Sequence, residues 1–241
     1  MNGRRINMWS GPRNVSTAMM YSWRERSDTA VWDEPMYGHY LSVTGVDHPG
    51  REAILGAVLT DREAVLEAML EDPCPRPVWF FKNMAHHLVG FDLGVVDHLD
   101  NFLLTRDPRE MLPSLALGLG RTPVMADTGF DAQVAIVERL EVTGRDPIVV
   151  DSRQLLTDPR WVLSQLCARL DLPFEEAMLS WPPGPKPEDG VWAADWYGRL
   201  HETTGFVPYR PKSDPFPQEL EGVYAECAPH YERLSHLAIR A

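Results

Sequence analysis

Five short apolar runs separated by helix-like segments constrain this chain more than any other feature. They are Ile6 to Trp9, Ala30 to Trp32, Val78 to Phe81, Asn101 to Thr105 and Pro147 to Val150. Runs this short and this apolar suit strands covered on both faces, and the helices between them supply the crossovers that parallel pairing needs. Helical spacing covers Val15 to Arg26, Asp61 to Leu70 with Asp61 as N-cap, Asp131 to Val142, and Pro159 to Leu170 with Asp158 as N-cap. Another helix opens at Asp107-Pro108, and Phe216 to Leu237 reads as a helix broken near Pro229. The pattern predicts an α/β fold, with three α/β/α layers around a mostly parallel central sheet. Such sheets bind ligands beyond the carboxyl ends of their strands, and polar clusters follow the first, second and fourth runs.

With 241 residues, 44% hydrophobic and 24% charged, the chain is expected to form one globular domain over 1–241. A net charge of −12 argues against a nucleic-acid surface, which needs clustered positive charge, yet leaves room for one small anion held by converging arginines. Cys74, Cys167 and Cys227 are far apart and make no CxxC, so neither a disulfide framework nor a zinc knuckle is expected. No signal-peptide core follows Met1, and no apolar stretch reaches the ~18 residues of a membrane span. The expectation is a cytoplasmic enzyme with no membrane or nucleic-acid partner. Residues 36–60 and 180–214 read as ordered loops over a site, because they keep aromatic residues among their Gly and Pro.

The first run leads into Ser10-Gly11-Pro12-Arg13-Asn14-Val15-Ser16-Thr17. Backbone N–H groups at a helix start are unpaired and favour an anion. Arg13 adds a fork of donors, and Ser16 and Thr17 place hydroxyls in the first turn. The motif GxxxxGK[ST] is absent: Ser16 and Thr17 stand where its Gly and Lys would be, which leaves no lysine for a γ-phosphate. Taken alone, the segment is equally an ordinary capped helix start. After the fourth run, Arg106 leaves the strand end and Ser114 follows eight residues later, so the two can grip one phosphate from two sides. A surface ion pair of Arg106 with Asp107 or Glu110 is the competing reading.

Together these residues resemble the sulfotransferase superfamily, which uses 3′-phosphoadenosine-5′-phosphosulfate (PAPS). Pro12-Arg13-Asn14-Val15-Ser16-Thr17 is similar to the family's P-[KR]-S-G-[ST]-T loop, and Arg106 with Ser114 resembles its 3′-phosphate pair. Val150 to Pro159 and Leu166 to Phe174 look like its later strand, turn and helix end, so the likeness runs from about residue 4 to 175. The resemblance implies a P-loop NTPase-like sulfotransferase fold. It also implies PAPS as donor, adenosine 3′,5′-bisphosphate (PAP) as product and a small hydroxyl- or amine-bearing acceptor. Arg13, Asn14, Val15, Ser16 and Thr17 would hold the phosphosulfate, and Arg106 and Ser114 the 3′-phosphate. One departure is Asn14-Val15 in place of Ser-Gly, where glycine normally lets backbone approach phosphate.

Sulfuryl transfer needs a base for the acceptor proton and positive charge at the transferring group. No metal is required if arginine and backbone donors neutralise the leaving phosphate. Glu34, in Asp33-Glu34-Pro35 past the second run, resembles the Glu-Pro base of Golgi-type and some bacterial sulfotransferases. His86 and His87 are the other candidates, with His86 ranked second, although Met84 occupies the place where cytosolic relatives carry a histidine after a lysine such as Lys82. Arg13, Glu34 and His86 are thus the catalytic candidates. Trp192 to Phe206 either closes over the nucleotide, lines the acceptor pocket, or packs as an aromatic helix on the sheet. A kinase-type phosphotransferase and a non-catalytic nucleotide-binding module remain as alternatives.

Overall fold

The computed structural model describes residues 3–240. Its strands are β1 (Arg4–Ser10), β2 (Thr29–Asp33), β3 (Val78–Met84), β4 (Asp100–Thr105) and β5 (Val149–Asp151). They form one five-stranded sheet in the order β2-β3-β1-β4-β5, every pairing parallel. From β1 the chain passes to one side of the sheet and later crosses to the other at β4. The crevice between the carboxyl ends of β1 and β4 is therefore the topological switch point, where open α/β sheets bind ligands.

Alternation along each strand builds two cores. Ile6, Met8, Phe80, Phe102, Leu104 and Val150 face one layer, formed by α1 (Ser16–Arg24) and two helices after β5. Trp9, Trp79, Phe81, Leu103 and Val149 face the other. In chain order the remaining helices are α2 (Tyr37–Thr44), α3 (Arg51–Ala57), α4 (Arg62–Leu70), α5 (Pro108–Leu119), α6 (Phe130–Val142), α7 (Ser152–Thr157), α8 (Pro159–Arg169), α9 (Ala193–Trp196), α10 (Gly198–His201) and α11 (Glu221–Leu237). Helices α7 and α8 join α1, while α4, α5, α6 and α11 cover the opposite face. The architecture is the expected three-layer α/β/α sandwich.

Three expectations need correction. Residues 36–60 and 180–214 are not loops throughout, since they carry α2 and α3, and α9 and α10. Helix α2 has poor intrinsic propensity (it contains Gly38, Val43 and Thr44), but Tyr37, Tyr40 and Leu41 bury one stripe against Ile54, Trp192 and Tyr197, and tertiary packing overrides propensity. Helix α11 is not broken at Pro229, which lies inside it. β3 runs on past the expected Val78 to Phe81 as far as Met84, so Lys82 and Asn83 are interior strand residues.

No helix among the described residues is long and apolar enough to cross a membrane. The three cysteines are free thiols.

Candidate active site

The turn after β1 wraps the carboxyl edge of the sheet. Gly11 is required there, because a Cβ at that position would sit 2.8 Å from the Thr128 carbonyl oxygen. The loop is tied to the sheet at Asn14. Its Nδ2 donates to the Leu104 carbonyl at 3.1 Å, and its carbonyl accepts from Ser152 Oγ at 3.0 Å. Arg13 and Val15 take left-handed φ values of 59° and 60°. For a β-branched residue such as Val15 that conformation is costly, and it is the N-cap of α1 with no side-chain cap bond. Ser16 and Thr17 are therefore first-turn residues, not caps, and the backbone N–H groups of that turn have no capping oxygen.

Three residues from three elements meet at the switch point. Arg13 Nε donates to Ser114 Oγ at 3.0 Å, and Arg106 Nη1 donates to the Arg13 carbonyl at 2.9 Å. The ion-pair reading of Arg106 is met by Glu110, at 3.2 Å. Arg13 has no ion pair among the described residues and is half-buried; burial pushes its guanidinium pKa down, with Arg106 and Arg199 lowering it further by repulsion. Arg199, from α10, lines the same cavity. In a chain of net charge −12, cations crowded like this favour an anion between them.

The cavity, of about 430 Å³, runs from these arginines to Glu34. Glu34 follows β2 with φ 45°, held by its N–H on the Lys82 carbonyl at 2.7 Å. Its Oε1 accepts from Lys82 Nζ at 2.6 Å, and the same ammonium reaches Asp33 Oδ1 at 2.6 Å and Tyr197 Oη at 2.5 Å. The Tyr197 hydroxyl donates to Asp33 Oδ2 at 2.8 Å and accepts from Trp192 Nε1 at 3.0 Å. Burial raises the Glu34 carboxyl to about 7, against the pull of Lys82 and with Asp33 raising it further. A perturbed carboxyl in a cleft marks a candidate functional group. The two attractive partners hold Lys82 well above its ordinary value, although burial opposes them.

His86 and His87 follow in the 3-10 turn Ala85–Leu88. Both line the cavity beside Tyr37 and Tyr40. Burial lowers His86 to about 4 and His87 well below its ordinary value. The segment after residue 190 covers the cavity through Trp192, Trp196, Tyr197 and Arg199. It thus lines the pocket and packs aromatically at the same time.

Glu34, Arg13, Asn14, Val15, Ser16, Thr17, Arg106 and His86 all border this one cavity, and Ser114 stands behind Arg13. Sequence reasoning named His87 and Lys82 but missed Asp33 and Tyr197 as parts of the same network. Asp33 left a signal, a second carboxylate beside Glu34, and so did Lys82, a lone lysine in an apolar strand that needs an acidic partner. Tyr197 lies 115 residues from Lys82 and left none.

A parallel three-layer sandwich with an arginine-lined turn at its switch point has a P-loop-like α/β fold. The chain belongs to the sulfotransferase family: the Sulfotransferase domain model matches residues 4–236. Two Arabidopsis thaliana proteins are similar over nearly the whole chain. "Branched-chain-amino-acid aminotransferase-like protein 2" is 34% identical over 95% of the chain and 41% of its own length. "Branched-chain-amino-acid aminotransferase-like protein 1" is 35% identical over 96% and 42%. The chain thus spans about two fifths of the length of these relatives. Among solved structures, the sulfotransferase domain from the curacin biosynthetic pathway superposes with TM-score 0.57 at 17% identity, covering 95% of this chain and 98% of that one. A sulfotransferase from Alicyclobacillus acidocaldarius gives 0.57 at 15%, covering 98% and 96%.

Proposed function

We propose that this chain moves a sulfuryl group from PAPS to a hydroxyl or amine of a small molecule, releasing PAP. The observation that carries the reading is the meeting of Arg13, Arg106 and Ser114 at the β1–β4 crevice, within one cavity's reach of Glu34.

In this reading the turn from Arg13 to Thr17 receives the 5′-phosphosulfate on first-turn N–H groups, with Arg13 beside it. Arg106 and Ser114 receive the 3′-phosphate, and Arg106 exchanges Glu110 for phosphate oxygens. The acceptor oxygen or nitrogen attacks sulfur in line, and the bond from sulfur to the 5′-phosphate oxygen breaks. The acceptor proton passes to Glu34. The leaving phosphate gains charge as the bond breaks, and Arg13 and the helix N-terminus stabilise it there. A carboxyl near 7 matches a base working near neutral pH, because it is partly ionised yet still basic. His86, held neutral, is the second candidate base.

Calorimetric titration tests the donor. PAP should bind without metal, and Arg106→Ala should abolish most of that affinity. Preference for Mg-ATP would point to phosphoryl transfer, while tight PAP binding with no turnover over a panel of phenols, alcohols and amines would leave a nucleotide-binding module.

A further inference from the structure

Next to the Lys82–Glu34 contact lies the buried imidazole of His87. The His87 ring is stacked parallel to Tyr37 at 4.8 Å and 2°, and lies against Tyr40 at 4.6 Å. His86 closes a further side, edge-on at 4.6 Å. Both phenols belong to α2, so the ring cannot turn without displacing that helix. His87 Nδ1 is buried with no hydrogen-bond partner. The nearest acidic atom is Glu34 Oε2 at 3.8 Å, on the carboxylate whose other oxygen takes the Lys82 ammonium.

A buried nitrogen left unpaired costs stability, so its persistence calls for a use. We propose that His87 is a positioning residue for Glu34, its Nδ1–H donating to Oε2 while Lys82 holds Oε1, so that the carboxylate plane is fixed towards the acceptor. The inference rests on the reading of Glu34 as base. The present separation is longer than a hydrogen bond. A small rotation about the last Glu34 torsion, which lies in a broad well, closes it, and catalytic hydrogen bonds are often long before the reactants are in place.

The chemistry selects the tautomer. Burial, with His86, His48 and Lys82 adding repulsion, keeps His87 neutral, so the ring carries one proton. If that proton sat on Nε2, the Nδ1 lone pair would face a carboxylate oxygen, which is repulsive. The Nδ1–H form turns the same contact into a charge-assisted bond. The titratable groups facing Glu34 are Asp33, Lys82, Tyr37, His87 and Tyr197.

Nitrogen NMR of 15N-histidine protein reads the tautomer directly, with the His87 signal assigned by its loss in His87→Asn. The Nδ1–H form is expected, and an Nε2–H form overturns the proposal. Carbon NMR of 13C-carboxyl-glutamate protein follows the Glu34 titration, assigned by Glu34→Gln. Losing a donor to the ionised form should raise that midpoint by about one pH unit in His87→Gln. The amide of His87→Asn, whose N–H lies where Nδ1 does, should return it. An unchanged midpoint in His87→Gln overturns the proposal, and the tautomer, read on the wild-type protein and assigned through His87→Asn, decides the matter even if His87→Gln fails to fold. Neither readout depends on turnover. If Glu34→Gln keeps full sulfuryl transfer, the base assignment fails while the His87 contact stands or falls on its own.

Discussion

Glu34 Oε1 and the buried Lys82 ammonium are 2.6 Å apart, and Asp33 takes the same ammonium at 2.6 Å. Two carboxylates thus share one cation. One of them must stay protonated more readily than an exposed acid would, and burial makes that one Glu34, raised to about 7.

Activity should therefore rise with pH through about 7, because the base works only when ionised. Glu34→Gln should lower kcat by roughly 10²- to 10⁴-fold with PAP affinity unchanged. A pH–rate profile together with PAP titration of the variant checks both, and a flat profile from pH about 5.5 to about 8 would remove Glu34 from the role.

Stability carries two opposing pH dependences. The Glu34 carboxyl moves from 4.5 to about 7 on folding, so the native state binds its proton more tightly and gains stability as pH falls through that window. His86 moves from 6.5 to about 4, so its contribution is intact above 6.5 and is lost as pH falls towards 4. His48 and His87, both lowered by burial, act like His86. Glu34→Gln should then make the protein lose more stability between pH about 7 and about 5 than wild type does, and His86→Phe should make it lose less. Urea midpoints at the two pH values give the comparison.

Arg106 binds Glu110 when no phosphate competes. Arg106→Ala should weaken PAP by roughly ten- to a hundredfold, the worth of a charge-assisted contact. Glu110→Gln should tighten PAP by about two- to fivefold, because the competing carboxylate is gone. Calorimetry at one fixed salt concentration measures both, and equal affinities in all three proteins would place the 3′-phosphate elsewhere.

At Val15, with φ 60°, the usual helix preference for alanine should invert. Val15→Ala keeps the left-handed strain and loses packing, whereas Val15→Gly relieves strain of about 1–2 kcal/mol. The glycine variant should melt higher than the alanine variant by roughly 2–4 °C, as seen in thermal unfolding. An alanine variant that melts higher would mean the turn relaxes in solution.

How far the sequence reaches is clearest residue by residue. The strands around Ile6, Val31, Phe80 and Leu103 were legible because strands buried on both faces read as continuous apolar runs. Asp107-Pro108 announced α5 because an N-cap with proline in the first turn satisfies a helix start locally, and Asp107 does accept the Arg109 N–H. Helix α2 was missed because its stabilisation comes from Trp192 and Tyr197 far along the chain. Pro229 misled because a proline costs a helix one bond, which packing of Val223, Cys227 and Leu234 against the sheet offsets.

The sequence by itself determined the layered fold, the place of the Arg13 turn after β1 and the carboxylate at the end of β2. These are written in local patterns: apolar runs, helix starts, and charged residues just past strand ends. Only the tertiary structure decided that Arg13 rests on Ser114, that Lys82 binds both Asp33 and Glu34, and that His87 is clamped by Tyr37 and Tyr40. The reason is distance along the chain. Contacts such as Arg13 to Ser114, 101 residues apart, exist only once the parallel crossovers bring strand ends together. The proton affinity of Glu34 follows from burial that no stretch of sequence displays.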